Sequence, residues 1–99
     1  MAQRKYMNTN QLRQKLEEEG FVHIFEWNDS PNMEYEVHSH KGKVAMYILS
    51  GDVVFDFGKK VVTLKKGDRF DVPVGEEHIA KVGPNGCSYI VGEMIEGDS

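Results

Sequence analysis

The chain has 99 residues, of which 28% are charged and 39% hydrophobic, and its formal net charge is −4 at pH 7. This length supports one domain with one core, and the composition excludes a disordered chain. No stretch approaches the ~20 apolar residues of a membrane-spanning helix, and the acidic balance disfavours nucleic acid as a partner. We expect no secretory signal, and a single cysteine, which cannot form an internal disulfide, indicates a cytoplasmic location.

The first part of the chain predicts the only helix. Residues 1–8 show no periodicity and are predicted to be a flexible N-terminus. A helix is predicted over 9–20, because Asn8 and Gln11 have the spacing of a capping box and two leucines share one helical face. Gly20 is a typical stop signal. Since the apolar stripe is thin, we expect this helix to lie on the outside of a larger body.

The rest of the chain is predicted to form short strands separated by turn residues. Eight strands are predicted, at 21–27, 34–40, 44–49, 53–57, 61–64, 69–72, 78–82 and 87–95. No crossover helix separates them, so we expect antiparallel pairing in an all-β sandwich or barrel over residues 21–96, with 97–99 as a tail.

Two of these strands, 44–49 and 53–57, are apolar on both faces. A strand with one face in water shows alternation instead, so another element must cover the outer face. Either the N-terminal helix or a second subunit could do so. We expect a homodimer.

The most informative polar residues are His38 and His40. Two residues apart on an extended strand, they point to the same face with Cα atoms roughly 6.6 Å apart. Two imidazoles that converge with a third can chelate a divalent metal. Strict alternation places Glu36 on this face and Tyr35 on the other. Taken alone, the HxH pattern also fits an exposed polar strand.

Two longer segments add a more specific pattern. HSHKGKVAMYILSG occupies 38–51, and GDRFDVPVGEEH occupies 67–78. These segments resemble the two motifs of the cupin superfamily, HxH followed by a glutamate and a glycine, and GxxxxxPxGxxHxxxN. The resemblance spans residues 34–95 and is to small, single-domain cupins of the cupin 2-like type. It implies a double-stranded β-helix, or jelly-roll, barrel.

The resemblance also implies a metal site. His78 would join His38 and His40 inside the barrel as the third ligand of a divalent transition metal. Neutral imidazoles suit zinc, nickel, iron and copper alike, and manganese also stays open, so the sequence does not identify the ion. A cupin that has lost its metal and uses these histidines as hydrogen-bonding groups is the alternative.

The sequence departs from the family pattern at two positions. The glutamate position falls on Val44, or on Ala45 with the longer spacing, and the asparagine position falls on Val82. A site of three histidines leaves coordination positions open for water, a carboxylate, an enolate or dioxygen. Glu36 is the candidate catalytic base, and we expect it to orient a histidine or contact a substrate rather than bind the metal.

Alternation in phase with the histidines also predicts the lining of a cavity. The predicted lining residues are Val44, Met46, Ile48, Ala80 and Val82. They describe a largely apolar space beyond the metal, which suits a small organic ligand with one metal-binding oxygen. Cys87 is interpreted as a core residue.

Two hypotheses of function follow. In the first, the protein is a metal-dependent enzyme of the oxidase, dioxygenase or isomerase type, acting on a small anionic or enolisable molecule. In the second, it is a non-catalytic module that senses or stores a small ligand or the metal itself. A resemblance in fold does not decide between them.

Overall fold

The structure is a computed structural model and describes residues 8–95. One helix precedes six strands in this range: α1 (Thr9–Glu18), β1 (His23–Asp29), β2 (Glu34–His38), β3 (Val44–Asp56), β4 (Val61–Lys65), β5 (Arg69–Val72) and β6 (His78–Glu93). Except for Asn8, the predicted flexible N-terminus lies outside the described residues, as does the predicted tail. Within the described range, no helix is long and apolar enough to span a membrane.

The predicted helix is confirmed and begins with the predicted capping box. The Asn8 side chain accepts a hydrogen bond from the Gln11 backbone at 2.9 Å, and the Gln11 side chain accepts one from the Asn8 backbone at 2.9 Å. Its two leucines, Leu12 and Leu16, are buried. The helix ends before Gly20, which has a φ of +98°, a conformation that favours glycine.

Four of the eight predicted strands are halves of two long ones, so the predicted breaks between 49 and 53 and between 82 and 87 are wrong. Strand β3 continues through Gly51, whose φ is +74°, and its pairing with β6 shifts register on either side of this residue. A Cβ at Gly51 would lie 1.9 Å from the carbonyl oxygen of Gly86. The glycines therefore mark a bulge where two strands cross closely, rather than a hairpin.

Strand β6 is the centre of the sheet. It pairs with β1, β2 and β3, and β3 in turn pairs with β4 and β5. Every one of these pairings is antiparallel, as predicted. Because β3 and β6 are each long enough to serve both halves of the barrel, the six strands enclose one interior with the jelly-roll architecture.

The apolar residues form an inner and an outer cluster. The inner cluster fills the barrel and includes Val44 and Met46. In the outer cluster, helix α1 packs on the alternate residues of β3 and β6, with Leu16 against Ala45 and Ile90. The helix thus covers the outer face of 44–49, one of the two segments that led us to expect a second subunit.

Candidate metal centre

Three histidines meet at one end of the barrel. Strand β2 ends at His38, which pairs with His78 at the start of β6, and His40 follows two residues after His38. The ring centroids are 4.4 Å apart for His38 and His78, 5.1 Å for His38 and His40, and 5.4 Å for His40 and His78. One potential ligand atom from each residue lies within 4.8 Å of the other two. The three predicted ligands therefore come together in the fold.

Backbone carbonyl groups orient two of the three rings. The Nδ1 atom of His38 lies 2.7 Å from the carbonyl oxygen of Glu36, and that of His78 lies 3.0 Å from the carbonyl oxygen of Glu76. Since a carbonyl only accepts, each Nδ1 carries the proton and donates. The Nε2 atoms of both rings thus keep their lone pairs, which is the tautomer that a metal ligand needs.

His78 is the most deeply buried of the three. Its side chain is 2% exposed, and its Nε2 atom has no hydrogen-bond partner within the described part of the chain. Burial lowers the pKa of His78, the hydrogen bond to Glu76 opposes that shift, and the nearby His38 and His40 lower the pKa further. A neutral imidazole with a buried, unused lone pair beside two more imidazoles is a donor set that fits a divalent transition metal.

The strict alternation predicted for residues 34–40 is wrong. The pairing of β2 with β6 contains an irregularity between Tyr35 and His38. As a result Tyr35, predicted on the opposite face, lines the same cavity as His38, and their ring centroids are 6.4 Å apart. A bulge inserts an extra residue and changes the direction of the side chains that follow it. Simple alternation with a period of two residues does not predict such an insertion.

The glutamate position of the family pattern can be assigned from the fold. Val44 is buried and lines the cavity, whereas Ala45 belongs to the outer cluster beneath the helix. Val44 thus occupies the position that faces the interior. Sequence reasoning missed Glu93, the cross-strand partner of Val44. Glu93 is 0% exposed, and neither carboxylate oxygen has a hydrogen-bond partner.

A cavity of about 570 Å³ extends from the histidines into the barrel. Of the predicted lining residues, Val44, Met46 and Ala80 border it, while Ile48 and Val82 are buried in the inner cluster and are not among its lining residues. The cavity is more aromatic than the sequence indicated. Its aromatic lining comprises Phe25, Trp27, Tyr35, Phe55 and Tyr89.

A second polar group lies behind three of these lining side chains, and sequence reasoning did not identify it. Asp29, predicted in a turn, ends β1 and is 9% exposed. Its carboxylate accepts hydrogen bonds from Trp27 Nε1 at 2.9 Å and from the hydroxyls of Tyr35 and Tyr89 at 2.5 Å each. Burial and the bond to Asp29 raise the pKa of both tyrosines, so each hydroxyl keeps its proton and donates. We call these four residues the Asp29 cluster.

The structure also places Glu36 and Cys87. Glu36 lines the cavity and is exposed, and its backbone carbonyl, rather than its carboxylate, orients His38. Its role as a base stays a prediction. Cys87 is buried in the inner cluster, in keeping with its interpretation as a core residue. Burial, together with the charges of Asp29 and Asp52, raises the pKa of its thiol to about 11.

The structure is thus a small antiparallel jelly-roll barrel with three clustered histidines that could hold a metal ion. Residues 25–85 match the family model of the Cupin domain (Cupin_2). The chain therefore belongs to the cupin family. Among curated proteins, no sequence matches this chain.

Solved structures share the fold. An RmlC-like cupin from Shewanella frigidimarina is 22% identical, with a TM-score of 0.66 over 80% of this chain and 71% of its own. A Klebsiella pneumoniae protein with a double-stranded β-helix domain is 23% identical, with a TM-score of 0.64 over 77% of this chain and 69% of its own. The polyketide cyclase RemF from Streptomyces resistomycificus is 24% identical, with a TM-score of 0.63 over 73% of this chain and 54% of its own.

Proposed function

We propose that this cupin binds a divalent transition metal through His38, His40 and His78 and that its cavity takes a small organic molecule with an anionic or enolisable oxygen. One observation carries the proposal. The Nε2 atom of His78 is buried without a partner, and the ligand atoms of the triad lie within 4.8 Å of one another. An unpaired polar atom in a barrel interior is costly, and a bound ion that uses its lone pair removes that cost.

The cavity supplies what a metal-dependent reaction needs around the ion. A bound metal would act as a Lewis acid or redox centre towards an oxygen of the substrate. Phe55 and Phe57 pack against the His78 ring at centroid distances of 5.5 and 5.0 Å and limit the access of water from that side. Glu36, at the cavity wall, is the group we propose as the proton acceptor.

Calorimetric titration with Zn²⁺, Ni²⁺, Mn²⁺ and Fe²⁺, the last without oxygen, tests the metal site. We expect one ion per chain and at least a tenfold loss of affinity, about 1.4 kcal/mol, in His40→Ala and in His78→Ala. His23→Ala is the matched control, because His23 lies on β1 outside the triad. Unchanged affinity in both triad variants would refute the assignment.

A non-catalytic binding module is the second candidate. The observation that favours it is the exposure of Glu36, since a closed catalytic site excludes water from its base. Metal analysis of the purified protein, followed by oxygen uptake with small carboxylates and enediols, separates the candidates. Turnover with a redox metal supports the enzyme, and ligand-dependent thermal shifts without turnover support the binding module.

We also propose a homodimer in the cytoplasm. The helix covers only part of the outer surface, and Val37, Val61 and Ile79 are exposed on the strands. Apolar residues of this kind favour association. A monomer mass in light scattering at micromolar concentration would refute the dimer. The single cysteine, Cys87, supports a reducing compartment.

A further inference from the structure

The Asp29 cluster holds a buried carboxylate that has no charged partner among residues 8–95. The three hydrogen-bond donors that the structure gives Asp29 are the indole of Trp27 and two tyrosine hydroxyls, all of them neutral. Neutral donors occupy three of the roughly four acceptor positions of a carboxylate and leave its net charge in place. In an interior of low dielectric constant, such a charge attracts a cation more strongly than it would in water.

The other residues of the Asp29 cluster also favour a positively charged ligand. Tyr35 and Tyr89 both line the cavity, and each has used its only hydroxyl proton on Asp29. The remaining capacity of the two oxygens is that of acceptors, so a ligand group beside them must be a donor. Trp27 and Phe25 line the same space, and aromatic faces attract cations. Charge, hydrogen bonding and ring electrostatics therefore all favour a positively charged donor.

We propose that the Asp29 cluster is a binding site for a protonated amine. The site shares one cavity with the histidine triad, and Tyr35 connects the two, since its ring centroid is 6.4 Å from that of His38. A ligand that occupies both ends carries an ammonium group at one end and a metal-binding anionic oxygen at the other. The ammonium site stands on the Asp29 cluster alone, whereas this two-ended ligand class rests on the proposed metal function.

A pair of probes tests the ammonium site in metal-free protein. 2-Phenylethylamine, protonated at neutral pH, and 2-phenylethanol have the same shape and differ in charge. Trp27 is the only tryptophan of the chain, so its fluorescence reports directly on binding in the cluster. We expect the amine to bind at least tenfold more tightly than the alcohol. Equal affinities, or tighter binding of the alcohol, would overturn the proposal.

Two variants locate the charge responsible. Asp29→Asn keeps the shape and an acceptor oxygen but removes the charge, and we expect at least a tenfold loss of amine affinity with less than a threefold change for the alcohol. Glu36 lines the cavity directly, whereas Asp29 lies behind the lining side chains of Trp27, Tyr35 and Tyr89, so Glu36→Gln tests whether Glu36 supplies the charge instead. A larger loss in Glu36→Gln than in Asp29→Asn would overturn the assignment. The probe pair on the wild-type protein needs neither variant to fold.

A third comparison separates this inference from the metal proposal. We expect His78→Ala to keep amine binding in full, so a failure of the metal site leaves the ammonium site testable. In wild-type protein, phenylalanine adds a carboxylate to the amine probe. Addition of Zn²⁺ is expected to strengthen phenylalanine binding at least tenfold and to leave phenylethylamine within threefold. No gain for phenylalanine would overturn the two-ended ligand class.

Discussion

The two polar ends of the cavity differ in how completely their groups are paired. In the Asp29 cluster, both carboxylate oxygens accept hydrogen bonds, and the donors come from three separate strands. In the histidine triad, the Nδ1 atom of His78 is bonded and its Nε2 atom is left without a partner. The hydrogen bonds of the first end are made within the chain, whereas the second end leaves a buried nitrogen that the proposed metal ion would use.

This difference separates stability from binding. A buried hydrogen bond contributes about 1 kcal/mol, whereas a buried group left unpaired costs about 1–3 kcal/mol. The Asp29 cluster therefore stabilises the fold and holds β1, β2 and β6 together. In the triad, the unpaired Nε2 atom of His78 lowers the stability of the fold, and the proposed metal ion would remove that cost. Glu93 differs from both groups. Its carboxylate is buried like that of Asp29, but no described residue donates a hydrogen bond to it.

The largest expected effect comes from Asp29→Ala. This change leaves two tyrosine hydroxyls and an indole N–H without their acceptor, and we expect the free energy of unfolding to fall by about 3 kcal/mol. Urea denaturation of the metal-free protein measures it. Tyr35→Phe, which removes a single donor, is the control and is expected to lose about 1 kcal/mol. Equal losses in the two variants would contradict the central role of Asp29.

Glu93→Gln is expected to act in the opposite direction. The change removes a buried and unpaired charge while keeping the shape of the side chain, so the free energy of unfolding should rise by about 2 kcal/mol. Thermal and urea denaturation measure the effect. Glu34→Gln is the matched control, because Glu34 forms only a surface ion pair with Lys81 at 3.8 Å. A loss of stability in Glu93→Gln would mean that the carboxylate has an essential partner.

Val44→Glu would bring a carboxylate close to the triad. We expect metal binding to tighten at least tenfold, about 1.4 kcal/mol, because a negative charge beside a dication is favourable. The same change should lower the melting temperature of the metal-free protein, since a carboxylate in an apolar interior is costly. Metal titration and thermal denaturation measure the pair of effects.

Glu93 complicates that experiment, because it is the cross-strand neighbour of Val44. Two carboxylates side by side repel each other, so the gain in metal affinity should be larger in a Glu93→Gln background. Unchanged or weaker metal affinity in both backgrounds would mean that residue 44 does not reach the ion.

The smallest expected effect is that of His78→Phe on the metal-free protein. His78 lies among Phe55 and Phe57, so an apolar ring of similar size fits its surroundings and removes the unpaired nitrogen. We expect the free energy of unfolding to change by less than about 1 kcal/mol. The metal-induced rise in melting temperature should disappear. A large loss without metal would show that the triad, like the Asp29 cluster, stabilises the fold.

The sequence predicted the parts of this molecule that local spacing determines. The place of His78 was predicted only from the resemblance of 67–78 to the second cupin motif, whereas His38 and His40 are close in the chain. The capping box of the helix is similarly local. These features need no knowledge of how distant strands align.

The parts that the sequence did not predict depend on register and backbone geometry. Glycine is typical both of hairpin turns and of bulges. Gly51 therefore did not indicate that β3 continues through it. The Asp29 cluster gathers side chains from β1, β2 and β6, and Tyr35 reaches it through an irregularity in pairing. Nothing in the sequence indicates that Glu93 is buried and has no hydrogen-bond partner among the described residues.

The central position of β6 affects how the chain folds during its synthesis. Strands β1, β2 and β3 all pair with a segment that begins at residue 78, so none of these pairings can form on the ribosome until that segment emerges. Contacts so distant in sequence also slow folding, because chain entropy is lost before they can form. The nascent chain must therefore keep its apolar β3 strand from aggregating until the last strand is made. Helix α1, whose capping box is local, is the element able to form first and shield part of that strand.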